Sequence, residues 1–167
     1  ANDSPFSPSA TSSAGLPIIY EVNAGPAKIV NNQVQLTGYN GTVYIQAKQN
    51  GGDGFCAAIP QLQSFNVTGG HNTQMYVGGT YNNWNMKSMI IENNIWKLKN
   101  QVFLAGNYEL KFANTNNFTG QDWGNSNGLS SSAQQTTGGG ANIVFTITNP
   151  GTYTIDFNDI TLQYNIT

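Results

Sequence analysis

The sequence predicts an all-β chain of two consecutive antiparallel β-sandwich domains, and three observations predict it. Apolar and polar residues alternate in short runs, as in Val43, Ile45 and Ala47 or Tyr108, Leu110 and Phe112, the period of a half-buried strand. Gly, Pro, Asn and Asp punctuate these runs at short intervals, as turns joining antiparallel strands require. No window carries the apolar repeat at three and four residues that an amphipathic helix needs.

Residues 1–15 are rich in Ser, Pro, Ala and Thr without a period and read as a linker that becomes an edge strand. Strands are expected at 16–22, 34–36, 42–49 and 64–67, divided by Gly25-Pro26, by a turn over 38–41 and by the loop Gly51-Gly52-Asp53-Gly54. The polar segment Thr68-Gly69-Gly70-His71-Asn72 reads as a hinge, which sets the domains at 1–68 and 69–167. Beyond it Met75 and Val77 alternate, Gly78-Gly79 ends the run, and Trp84 stands among asparagines. Strands follow at 95–103 and 108–112, the second with Tyr108, Leu110 and Phe112 inward and Glu109 and Lys111 on the opposite face. Residues 114–140 read as one long loop of Asn, Gly, Ser, Thr and Gln whose only large apolar residues are Phe118, Trp123 and Leu129. A loop of that length in a compact domain is functional or disordered, and a tryptophan inside it favours function. Alternating strands at 141–147, 151–157 and 162–166 complete the second domain.

At 167 residues the chain has length for one large domain or two small ones. Charged residues make up 8% of it, against about a quarter in ordinary domains, so amides and hydroxyls carry the surface. The six basic residues are all lysine, unclustered, and the net charge is -2; a phosphate backbone is bound through clustered Lys and Arg, so nucleic acid is not expected as a partner. Cys56 has no second cysteine to pair with and is expected as a small core residue, and the lone His71 gives no metal-ligand spacing. No metal and no cofactor are expected. No apolar run approaches the roughly 20 residues of a membrane span.

Catalysis has little to work with. Asp122, Asp156 and Asp159 are scattered, no pair of carboxylates is marked by spacing, and Gly138-Gly139-Gly140 precedes a strand, so it forms no phosphate-cradling loop before a helix. The chain is therefore expected not to be an enzyme. Binding has more. An indole flanked by amides suits stacking on the apolar face of a sugar while the amides, Asn83 among them, bind hydroxyls. The plainer reading of Trp84 is a lid folded back on the sheet, and of Lys111 an ordinary outward lysine.

Two stretches resemble known families. A-T-S-S-A-G-L-P-I-I-Y-E-V-N-A-G-P-A-K-I, then V-Q-L-T-G, G-T-V-Y-I-Q-A-K-Q-N-G, A-A-I-P and S-F-N-V, resemble the small bacterial immunoglobulin-like domains repeated in large secreted and surface proteins. That resemblance covers about residues 5–67 and implies a spacer with no catalytic residues. G-T-Y-N-N-W-N-M-K-S-M, the strand with Trp96, L-A-G-N-Y-E-L-K-F, and D-W-G followed by a glycine-rich loop, G-G-x-N-I and G-x-Y-x-I-x-F resemble the α-glucan-binding β-sandwich modules, most nearly those of starch-utilisation surface lipoproteins. This covers about residues 73–167. It implies Trp84 and Trp123 as two stacking tryptophans and Lys111 as a hydrogen-bond donor to sugar hydroxyls. Asn142 falls beside a position where glycogen binders have paired asparagines, the first of which is here Ala141. Trp96 matches a packing position.

The expectation is thus a non-catalytic binder of polysaccharide, with an α-glucan such as starch or glycogen in first place. It would be an accessory part of a larger bacterial protein, secreted or at the cell surface, linked to further domains. The rival is a structural or adhesive module with a protein partner, which requires Trp84 and Trp123 to lie apart or buried.

Overall fold

Alternation becomes strand in this chain wherever an apolar face finds cover, and the cover is uneven along it. A computed structural model describes residues 3–167; residues 1 and 2 of the expected linker lie outside the described residues. The chain is all-β, with one short 3-10 turn at Thr80–Asn82 among the described residues. It divides into two compact units, one ending at His71 and the other spanning Asn72–Thr167. Among the described residues no helix is long and apolar enough to cross a membrane.

In the first unit β1 (Ile19–Ala24), β4 (Gly41–Lys48) and β5 (Gln61–Val67) form an antiparallel sheet, and β2 (Ala27–Val30) pairs with β3 (Gln33–Leu36) as a hairpin. β2 escapes a reading by alternation because it is only four residues long and lies directly behind the Gly25-Pro26 turn. Phe6 bridges Val34 and meets Phe65 of β5 edge-on at 5.8 Å, so among the described residues the N-terminal segment contributes a single bridge and no edge strand. Among the described residues of this unit, Val34, Val43 and Val67 are the buried hydrophobic ones. Cys56 is not among them. It is exposed, beside the glycine loop at 51–54, in a stretch where no strand provides an inner face.

Each end of the segment expected as a hinge is bonded within its own unit. His71 donates its N–H to the Gly38 carbonyl at 2.9 Å, and the Asn40 side chain both accepts from Gly70 N–H and donates to the Gly70 carbonyl, each at 2.8 Å. Asn72 donates its backbone and side-chain N–H groups to Asp159 at 2.7 and 2.8 Å.

In the second unit two sheets face one another. The first is ordered β12 (Ser126–Asn127), β15 (Ile143–Ile147), β10 (Gly106–Ala113), β11 (Gln121–Gly124), β14 (Gln134–Thr137), with β6 (Tyr76–Gly79) and β7 (Lys87–Ser88) attached through β10. Leu110 pairs with both Gly79 and Ile143, and Phe112 with both Val77 and Trp123. β10 therefore has β6 along one edge, and β15 then β11 along the other. The second sheet is ordered β13 (Ser130–Ser132), β17 (Gln163–Ile166), β16 (Gly151–Phe157), β9 (Ile95–Phe103), β8 (Ile90–Glu92). All pairings in both sheets are antiparallel except the short β12 against β15.

Between the sheets lies a continuous core that includes Met75, Val77, Phe103, Leu110, Phe112, Trp123, Ile143, Ile155 and Phe157. Phe112 stacks on Phe157 with ring centres 4.3 Å apart and planes 6° apart. Trp96 is buried and donates its indole N–H to Asp159 at 3.0 Å, so the packing role expected of it comes with a polar anchor. Burying side chains of this size is worth about 1.5–3 kcal/mol each, which makes this unit the firm scaffold of the molecule.

The expected long loop at 114–140 does not exist as a loop. It contains β11, β12, β13 and β14. These strands are short; β12, β13 and β14 are built of Gln, Ser, Thr and Asn, while β11 carries the single inward Trp123, and pairing rather than a run of apolar residues makes them strands.

Candidate functional site

The turn that carries Trp84 is built by the residues around it. Tyr81 packs its ring 5.0 Å from Phe103 and so roots the turn in the core; burial pushes its phenol far above the usual range, and it stays protonated. The Asn82 side chain accepts from Gly79 N–H at 3.0 Å and donates to the Asn85 carbonyl at 2.7 Å. Trp84 N–H closes on the Gly79 carbonyl at 2.8 Å. Asn83 and Trp84 both lie in the left-handed region, with φ of 54° and 59°, a conformation that costs a residue with a side chain about 1 kcal/mol. The Asn82 amide is thus spent on the turn, Asn83 is exposed at its apex, and the half-buried indole is the group presented.

Lys111 stands on the outer face of β10, as alternation requires, opposite Gly78 of β6. It is nevertheless buried, at 6% exposure. Its ammonium donates to the Gly140 carbonyl and lies 3.9 Å from the carboxylate of Asp122, which has no exposed surface at all. Asp122 accepts from the Thr136 hydroxyl and, at 3.1 Å, from Gly139 N–H. One buried carboxylate therefore fixes the lysine, β14 and the glycine turn at 138–140 together. A buried charge is tolerated only when paired and hydrogen-bonded in this way.

Trp123 does not join Trp84, so the proposed pair of stacking tryptophans does not form, and the arrangement is the one required by the rival reading of a structural or adhesive module. Trp123 is 1% exposed and packs 5.6 Å from Phe157 in the core. The reason is register: Trp123 pairs with inward Phe112, and Asp122 pairs with Ala113. Residues directly opposite on neighbouring strands share a face, so Trp123 goes inward and Asp122 outward. The indole N–H of Trp123 meets no acceptor among the described residues, so apolar packing alone holds it.

The second aromatic of the site is Phe118. It sits at φ 56° in the turn before β11, half-buried, with its ring 6.0 Å from that of Trp84 and tilted 72° to it. The Lys111 ammonium lies 5.9 Å from the Phe118 ring centre, within reach of a cation–π attraction. The bare Cα of Gly78 leaves room beneath, where an added methyl would collide with Met86 and touch Phe118. Trp84, Lys111, Phe118, Gly139 and Asn142 line an open cleft of about 360 Å³.

Asn142, the residue before β15, donates its amide N–H to the Glu109 carboxylate at 2.6 Å. The structure therefore brings together Trp84, Lys111 and Asn142 of the expected residues, keeps Asn83 at the exposed apex of the Trp84 turn, and removes Trp123. Phe118 and Glu109 are the additions. Phe118 has a signal in sequence, as a large apolar residue in an otherwise polar run; Glu109 has only its place next to Lys111 but one. Among the described residues no group of three or more His, Cys, Asp or Glu side chains is placed to hold a metal ion.

No protein-family model matches the chain, and no curated protein is similar to it. Among solved structures, that of SusF from Bacteroides thetaiotaomicron is similar to it, with 13% identity and a TM-score of 0.42, over 94% of this chain and 44% of that one. The chain spans less than half the length of that protein.

Proposed function

We propose that Asn72–Thr167 is a non-catalytic carbohydrate-binding module for a neutral polysaccharide, with an α-glucan of the starch or glycogen type as its ligand. On this reading it is an accessory part of a larger secreted or cell-surface protein that captures or degrades polysaccharide. The observation that carries the reading is the pairing of Trp84 with Phe118 over a fixed Lys111. Two half-buried rings inclined at 72° at the cleft do not suit a flat, ribbon-like chain, whose successive sugars present parallel faces. They suit a glucan that turns from one residue to the next.

Stacking supplies the affinity and polar groups the orientation. Lys111 gives one of its donors to Gly140 and has others for ring hydroxyls. Each sugar–aromatic contact contributes on the order of 1 kcal/mol, so one module binds weakly and gains from linkage to others. Both carboxylate oxygens of Asp122 are engaged, and its side chain is wholly covered, which favours holding a sugar over cleaving it.

Affinity gel electrophoresis on amylopectin, glycogen, mixed-linkage β-glucan and xylan tests this. The wild type is expected to be retarded by amylopectin and glycogen, and Trp84→Ala or Phe118→Ala to migrate as if no glycan were present. Equal mobility of the wild type in every gel would overturn the reading.

A further inference from the structure

Glu109 contributes no atom to the cleft wall, yet it holds one that does. Its carboxylate accepts from the side-chain amide of Asn142 at 2.6 Å, and its strand position is fixed separately by Thr80, whose hydroxyl accepts from Glu109 N–H at 3.0 Å. An ionised carboxylate can only accept hydrogen bonds. The amide of Asn142, a residue of the cleft wall, therefore has one permitted orientation, with its N–H toward Glu109 and its carbonyl oxygen left over for a ligand.

We propose that Glu109 is the specificity-determining positioning residue of the cleft, and that it makes the site select neutral sugars with two adjacent free hydroxyls. This rests on the glycan-binding reading given above. With Asn142 locked, the cleft that Trp84 and Phe118 line also offers a donor, the Lys111 ammonium, and an acceptor, the Asn142 carbonyl oxygen. Adjacent hydroxyls match that polarity, one accepting and one donating. A sugar whose hydroxyl is acylated or methylated has lost the proton that Asn142 requires.

Charge adds the second half of the selection. Lys111 carries one positive charge, while Asp122 and Glu109 each carry a negative one on the same face of β10 and β11. A uronate carboxylate attracted by the lysine would therefore meet two carboxylates near it, and the balance disfavours acidic glycans.

Isothermal titration of the whole chain with maltoheptaose and with oligogalacturonate, for the wild type and for Glu109→Gln, tests the proposal. Glutamine keeps the shape but presents an amide that satisfies Asn142 in either orientation. The expected result is a loss of maltoheptaose affinity of about tenfold in Glu109→Gln, with an unchanged melting temperature. The Asn142 side-chain amide resonances are expected to shift as its orientation is released, and oligogalacturonate to bind the wild type least. A wild type that binds maltoheptaose and a Glu109→Gln variant that binds it equally well would overturn the role of Glu109 and leave the glycan reading standing. A wild type that binds neither sugar would overturn both.

Discussion

Trp84 and Trp123 have opposite fates, although both stand in Asn- and Gly-rich surroundings in sequence. Trp84 sits at the end of a turn held by Asn82 and rooted by Tyr81, in a left-handed backbone that costs stability, half-buried on the wall of the cleft. Trp123 sits in a short strand whose register with Phe112 drives it into the core, with its N–H unmatched. The first arrangement gives up some folding free energy to present an indole; the second gives up a hydrogen bond to gain packing. A tryptophan's role in this molecule is thus set by backbone geometry and strand register, and composition nearby says little about it.

The difference can be broken by substitution. Trp123→Ala should cost about 3–5 kcal/mol of stability, read as a large drop in the denaturant midpoint, with the surviving folded fraction still able to bind. A stability change below about 1 kcal/mol would mean that the core does not depend on Trp123. Trp84→Gly should do the reverse. Glycine relieves the left-handed strain worth about 1 kcal/mol, which offsets the lost contact with Phe118, so stability should stay within about 1 kcal/mol of the wild type while glucan retardation disappears. Retained binding in that variant would remove Trp84 from the site.

Much of the strand framework is legible in the sequence. Ile95–Phe103 and Gly151–Phe157 are readable because their inner faces are strongly apolar, and Leu110 and Phe112 mark the inward face of β10 without help from neighbours. The stretch from 114 to 140 is not readable in this way. Its strands follow from pairing with β10, β15 and β17, a long-range fact, and their own residues are polar on the exposed side. The misplacement of Trp123 follows directly, because a residue taken to lie in a loop carries no face. Cys56 fails for the converse reason: its residue type favours burial, but the chain around it has no inner face to offer. Lys111 is legible as an outward residue, whereas its burial is not, since that depends on Asp122 arriving from β11 and Gly140 from the turn beyond β14.

The central claim is that Trp84, with Phe118 and Lys111, is the ligand-facing tryptophan, and that Trp96 and Trp123 are structural. The chain has three tryptophans, so its indole N–H region in a proton–nitrogen correlation spectrum holds three signals that single substitutions assign. On titration with maltoheptaose, the Trp84 signal is predicted to move progressively to saturation while those of Trp96 and Trp123 stay in place. Movement of the Trp123 signal with Trp84 unmoved, or no movement of any of the three, would contradict the account.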